Sequence, residues 1–201
     1  MERIGIGILA GGKSSRMGRE KAFLKLNQET FLGRILRQCR DFPEVYVSVA
    51  RQTPEILEVI RRFPCRLIED DLKEYGPVEG VYQILCAANQ DYVLITATDM
   101  PFLTANFLKC LAECIRGDEN CLILRNQGKN EMLCSIYSKK LIPLMADMRM
   151  RGEHRLKYIL EQTEARYIDV EELGDFGKEL SNINTPREYL AIMEKSAARL
   201  E

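Results

Sequence analysis

The sequence predicts an α/β fold in three layers, a single domain with a mostly parallel sheet and an antiparallel portion. Short apolar runs alternate with stretches of helical spacing from Ile4 to Ala88, the strand, helix, strand, helix, strand order that opens a doubly wound sheet. Two later apolar runs, residues 121–125 and 132–137, are separated only by the turn-like Asn126-Gln127-Gly128-Lys129-Asn130 and read as paired antiparallel strands. A chain of 201 residues with 46% apolar composition suits one domain with a sizeable core. It carries no internal repeat, low-complexity tract or linker.

The first strand spans residues 4–9, its isoleucines interleaved with Gly5 and Gly7. Residues 30–40 place Phe31, Leu32, Ile35, Leu36 and Cys39 at helical spacing. A strand at 45–50 is followed by Thr53-Pro54-Glu55, a cap with proline at the first helical position. The third strand, 65–68, runs into the acidic Glu69-Asp70-Asp71, and the loop 72–80 delivers a helix that ends at Ala88. Residues 92–96 are the most apolar middle strand; Thr104 opens a helix to about Arg116. Helices are expected at 139–148 and 153–162 around Gly152, and a late strand at 165–170. Thr185, Pro186 and Glu188 form a capping box for the last helix, whose tail from Glu194 is expected to fray.

Bulk properties exclude several classes. The net charge of −1 offers no overall basic field for nucleic acid or anionic lipid, so attraction for a polyanion must be local. The N-terminus lacks a signal-peptide pattern, and no apolar run approaches the roughly 20 residues of a membrane helix, so a soluble cytoplasmic protein is expected. The seven cysteines form no Cys-x-x-Cys pair and read as buried thiols instead of zinc ligands. The single histidine, His154, sits between Glu153 and Arg155 as a surface residue would, which leaves a His-dependent triad without support.

The chain is organised around residues 8–26, ILAGGKSSRMGREKAFLKL. A strand breaks into Ala10-Gly11-Gly12 and then into a polar loop with Lys13, Arg16, Arg19 and Lys21. Glycines let a ligand approach the main chain, so successive N–H groups can point at a phosphate while the cations neutralise it. Gly5-x-Gly7-x-x-Ala10 also fits a dinucleotide fingerprint, but its glycines lie within the strand and not in the turn after it. Gly7-x4-Gly12-Lys13-Ser14 matches a Walker A loop, with Asp99 as its Walker B carboxylate. Against that reading, Gly18 would interrupt the helix that must follow, at about 1 kcal/mol.

Other positions carry chemistry of their own. Asp99 follows a buried strand and precedes Pro101, so it belongs at the carboxyl edge of the sheet, where open α/β folds place ligands. It is either a hard oxygen ligand for Mg²⁺ or a cap for the helix at Thr104. Asn182 and Asn184 flank Ile183, so an extended backbone puts both amides on one face, unless they merely form a polar turn before Thr185.

The stretch LAGGKSSRMGREKAFLKL resembles the signature loop of nucleotidyltransferases that activate sugars and cofactors, L-A-A/G-G-x-G/S-x-R-M-G-x-x-K-x-L, and its Ala-Gly-Gly form is similar to the molybdenum cofactor guanylyltransferase branch. IEDDLKEYGPVEGV, TDMPFL, GKNEMLCSIYSK, RGEHRLKYIL and NINTPREYL extend the resemblance, in family order, over nearly the whole chain. The resemblance implies a Rossmann-like nucleotidyltransferase fold. It also implies transfer of GMP from Mg²⁺-GTP to the terminal phosphate of molybdopterin, with pyrophosphate released. Lys21, Arg16 and Asp99 would be catalytic; Leu9, Ala10, Gly11, Gly12, Lys13, Lys21, Asp70 and Asp99 would bind the nucleotide; Asp99 would hold Mg²⁺. Asn182 and Asn184 would bind molybdopterin, with Ser135, Tyr137 and Arg155 as outer neighbours. Partners would be GTP, the molybdopterin cofactor and proteins that deliver it, with no nucleic acid and no membrane.

Asp70 can accept two hydrogen bonds from the N1–H and N2–H₂ edge of guanine, although Asp71 beside it leaves the position open by one residue. Gly11, where several cytidylyl- or uridylyl-transferring relatives carry Ala, would leave room for a purine. Two departures keep CTP and sugar-phosphate transferases as alternatives: Arg19-Glu20 stands where many relatives have Gly and Asp, and Ser48-Val49-Ala50 where some carry Asn.

Overall fold

The computed structural model describes residues 4–11 and 21–197. Its main sheet contains, in chain order, β1 Ile4–Leu9, β4 Val45–Val49, β5 Arg66–Glu69, β6 Tyr92–Ala97, β7 Cys121–Asn126, β8 Lys129–Asn130, β9 Ser135–Ser138 and β10 Arg166–Asp169. A separate short hairpin is formed by β2 Lys25–Leu26 and β3 Glu29–Thr30. The path across the main sheet is β10-β7-β9-β6-β1-β4-β5, with β8 on β7. The pairs β1–β4, β1–β6, β4–β5 and β7–β10 are parallel, and β9 runs antiparallel between β6 and β7.

Helices cover both faces, which makes the three layers. On one face lie α1 Phe31–Gln38, α2 Pro54–Ile60, α4 Ala105–Glu113 and α7 Val170–Leu173; they bury Leu32, Ile35, Ile56, Phe107, Leu111 and Val170 against Ile4, Ile6, Ile8 and Leu94. On the other lie α3 Pro77–Ala87, α5 Ile142–Arg151 and α6 Tyr158–Gln162, which bury Val81, Ile84, Met145 and Ile159 against Leu9, Val93 and Ile95. All six residues of β1 are buried, as expected for a parallel strand covered on both faces. The glycines within β1 follow from this packing: a Cβ on Gly7 would stand 2.8 Å from Ile84 Cδ1 and 2.9 Å from Ile95 Cδ1. Gly7 admits α3 close to the sheet, which accounts for its place inside the strand.

Local signals set the helix starts. Thr30, Thr53 and Thr104 accept from Gly33 N, Ile56 N and Phe107 N at 3.1, 3.3 and 3.2 Å, each satisfying a first-turn amide. The last helix, α8 Pro186–Ala197, has its box in place: Glu188 N donates to Thr185 Oγ1 at 3.2 Å, and Thr185 N to Glu188 Oε2 at 2.9 Å. The helix continues to Ala197, past the point at which fraying was expected.

The antiparallel portion needs correction. Residues 121–125 and 132–137 do not simply form one hairpin. β7 turns tightly into β8, and Glu131–Cys134 forms a second turn; only then does β9 return to pair with both β7 and β6. The segment 153–157 lies outside α6, and the β2–β3 hairpin was not anticipated. Its turn residues, Asn27 and Gln28, take φ of 52° and 67°, a left-handed pair for which glycine is the usual sequence signal.

Candidate active site

The carboxyl ends of β1, β4, β5 and β6 meet at one edge of the sheet. Ala10 N donates to Ser48 O at 2.8 Å, Asp70 N to Val49 O at 2.9 Å and Thr98 N to Leu9 O at 3.2 Å. Leu9 and Ala10 are buried, and Gly11 is the first exposed residue of the chain as it leaves the sheet. The glycine at 11 has a structural reason of its own, since an added Cβ would lie 3.0 Å from Ala50 N. Gly12, Lys13 and Arg16, expected in the phosphate loop, lie outside the described residues, as does Arg19.

Lys21 opens a 3₁₀ turn, Lys21–Phe23, and its Nζ donates to Asp99 Oδ2 at 3.2 Å and to Asn184 Oδ1 at 2.6 Å. Three sequence-distant candidates therefore meet at one cation. Asp99 is placed two residues past β6, and Thr104 caps α4 with its own hydroxyl, so Asp99 is not the cap. The segment carrying the asparagines is fastened to the same place: Ile183 N donates to Asp99 O at 2.8 Å, while the Ile183 side chain is buried with Leu24, Leu26 and Phe31. Asn184 N also joins the capping box, donating to Glu188 Oε2 at 2.7 Å. Asn184 thus serves the turn through its backbone and meets Lys21 through its side chain.

Among the described residues, Asp99 Oδ1 and Asn182 Oδ1 are buried without a hydrogen-bond partner. Leaving such a group unsatisfied costs about 1–3 kcal/mol, and orphaned acceptors beside an open sheet edge are suited to a cationic ligand. Among the described residues there is no cluster of three or more Cys, His, Asp or Glu side chains that could hold a metal. One carboxylate with amide oxygen nearby suits Mg²⁺, which takes its remaining ligands from water and phosphate.

The two carboxylates at the end of β5 have different surroundings. Asp70 is partly buried and accepts from Ser48 Oγ at 2.6 Å, on the side of the β1 and β4 ends. Asp71 is largely exposed and accepts instead from Gln83 Nε2 at 2.6 Å. Burial raises the Asp70 carboxyl to about 6, against the lowering effect of the Ser48 hydrogen bond. Half-buried Glu131 stands within electrostatic reach of Asp99; burial raises its carboxyl, and the Asp99 charge adds to the rise.

Ser135 and Tyr137, the expected outer neighbours, are fully buried. Their hydroxyls donate to Glu131 O at 2.8 Å and Met132 O at 2.7 Å, so they shape the turn before β9. Arg155 is half exposed and paired with Glu153 and Glu161. Sequence reasoning missed Ser48 as the partner of Asp70. It also passed over Glu79, whose signal was a lone carboxylate within the apolar run VEGVYQIL.

A family model described as the MobA-like NTP transferase domain matches residues 6–167. The chain belongs to this family. This MobA-like chain is accordingly a nucleotidyltransferase. It is 31% identical over 198 residues to a "Probable molybdenum cofactor guanylyltransferase" of Clostridium perfringens, covering 94% of this chain and 95% of that one. It is 32% identical over 189 residues to a protein of the same description from Methanosarcina mazei, covering 89% and 84%. Its fold is similar to the crystal structure of "Molybdopterin-guanine dinucleotide biosynthesis protein A" from Archaeoglobus fulgidus, with a TM-score of 0.82 at 23% identity over 96% and 99% of the chains. The MobA-like assignment sets aside the Walker A and dinucleotide readings.

Proposed function

We propose that this protein transfers GMP from Mg²⁺-GTP to the terminal phosphate of molybdopterin, forming the molybdopterin guanine dinucleotide and releasing pyrophosphate. The observation that carries this reading is the convergence of Lys21, Asp99 and Asn184 at the carboxyl edge of the sheet. The names borne by relatives at 31% and 32% identity support the guanylyl group and the pterin acceptor.

In this mechanism the main chain of Leu9, Ala10, Gly11 and Gly12 lies along the nucleotide, and ionised Asp70 accepts from the N1–H and N2–H₂ edge of guanine. Lys21, with Lys13 and Arg16, screens the triphosphate as the two anions approach. Asp99 would hold Mg²⁺ through Oδ1, which has no partner among the described residues, and the bound ion would supply further neutralisation of the phosphate charge. Asn182 and Asn184 orient the pterin. Its terminal phosphate oxygen attacks the α-phosphorus in line, the new P–O bond forms, and the bond to pyrophosphate breaks with its electron pair leaving on that group. No side chain of the enzyme serves as nucleophile, so the rate enhancement comes from positioning and electrostatics.

We assign the reaction to the cytoplasm, supported by free thiols on Cys39, Cys65, Cys86, Cys110, Cys114, Cys121 and Cys134. Among the described residues no helix is long and apolar enough to cross a membrane. Proteins of the same route would hand over the pterin. The test is incubation with molybdopterin and each of GTP, CTP and ATP, followed by measurement of pyrophosphate and of the dinucleotide formed. Exclusive use of CTP would overturn the guanine assignment, and pyrophosphate release without a pterin dinucleotide would overturn the acceptor.

A further inference from the structure

Behind Asp70 lies a buried ionic assembly that the reaction does not use. Glu79, in the first turn of α3, has no exposed side-chain surface. Its Oε1 accepts from the backbone amides of Asp71 at 3.1 Å and Leu72 at 3.2 Å, and from Gln83 Nε2 at 2.8 Å. Arg149, on α5, closes on it with Nε to Oε2 at 2.6 Å and Nη2 to Oε1 at 3.1 Å. The guanidinium also stacks over the Tyr82 ring at 4.2 Å from its centroid. One carboxylate therefore gathers two consecutive amides immediately after Asp70 and ties them to two helices.

That arrangement bears on Asp70 directly. With Asp70 N held by Val49 O and Asp70 Oδ1 by Ser48 Oγ, the chain must turn sharply outward at 71. Backbone amides converging on one anion form a rigid turn, so the acceptor at 79 limits how far the Asp70 carboxylate can rotate with its backbone. We propose that Glu79 is a positioning residue for nucleotide recognition, holding Asp70 in the orientation that reads the guanine edge, with Arg149 as the counter-ion that keeps it buried.

The proposal rests on the reading that Asp70 meets the base. ITP, which lacks only the 2-amino group of GTP, reports that contact through the ratio of kcat/KM values. Glu79→Leu/Arg149→Met replaces the buried pair by apolar groups of similar size, an exchange that often leaves folding intact, while it removes the acceptor for Asp71 N and Leu72 N. The expected result is a rise in KM for GTP larger than the fall in kcat, and a GTP-over-ITP preference lowered by about tenfold. Glu79→Gln, which keeps a carbonyl oxygen for the two amides, is expected to retain most of that preference.

Asp70→Asn runs in parallel. If Asp70→Asn lowers the preference and the folded double variant does not, the positioning role is overturned while the base contact stands. If neither variant moves it, both the base contact and the positioning role fall. Equal losses with GTP and ITP in the double variant would mark Glu79 as merely structural and likewise overturn the proposal.

Discussion

Replacing Lys21 by alanine weighs catalysis against stability, because the ammonium holds Asp99 and Asn184 in the folded chain and would have more charge to oppose on a triphosphate. Its pair with Asp99 is 3.2 Å long, with the two side chains 20% and 21% exposed. A charge-assisted contact this far buried contributes about 1.5–3 kcal/mol to folding, equivalent to a fall in Tm of about 3–12 °C for a chain of this size. The same charge set about 4 Å from a phosphate oxygen is worth up to about 4 kcal/mol at an effective dielectric of 20. That corresponds to roughly three orders of magnitude in kcat/KM. The assay is steady-state pyrophosphate release with GTP and molybdopterin, alongside a thermal melt on the same preparation. Lys21→Ala turning over within tenfold of the parent, with activity lost in Lys13→Ala, would refute the charge-stabilisation argument and favour a P-loop use of Lys13. Lys21→Arg is expected to recover little, since a planar fork does not replace a compact ammonium.

The Asp70 carboxyl, raised to about 6 by burial, must be ionised to accept from guanine, so KM for GTP is expected to rise as pH falls through about 6. A pH profile of KM checks this, and Asp70→Asn should flatten it. The same raised value makes the folded state take up a proton before the unfolded one, so stability falls as pH rises from about 4 to about 6. Asp70→Asn is therefore expected to raise Tm more at pH 7.5 than at pH 4.5, as melts at the two values would show. A Cβ on Gly80 would lie 2.7 Å from Ser48 Oγ and 2.8 Å from Leu9 Cδ2. Gly80→Ala should then cost about 1–3 kcal/mol by urea unfolding and weaken GTP binding through Ser48. Asp99→Asn is expected to raise the Mg²⁺ concentration for half-maximal turnover by about tenfold or more, consistent with loss of a charged ligand, and titration of Mg²⁺ at fixed GTP measures it.

Much of this arrangement was legible from local pattern. Thr30, Thr53, Thr104 and Thr185 signal helix starts because a hydroxyl cap acts on amides two or three residues away, within the reach of neighbouring sequence. Apolar β6 followed by Asp99 and Pro101 likewise places its carboxylate at the sheet edge without reference to anything distant. The β2–β3 hairpin escaped because Asn27 and Gln28 adopt left-handed φ without glycine. The double pairing of β9 escaped because its partners, β6 and β7, were chosen by hydrogen-bond edges that the residues between 121 and 138 do not encode by themselves.

Asp70 and Asp71 show where reading along the chain stops. They are chemically identical neighbours, and only Ser48 on another strand and Glu79, Gln83 and Arg149 on two helices give them different surroundings. The glycine loop, the succession of strands and helices along the chain and the family were present in the linear order of residues, because each depends on short-range spacing. Which carboxylate meets Ser48, which oxygens of Asp99 and Asn182 have no partner among the described residues, and what Lys21 touches came from folding, since each depends on atoms brought together from positions up to 163 residues apart.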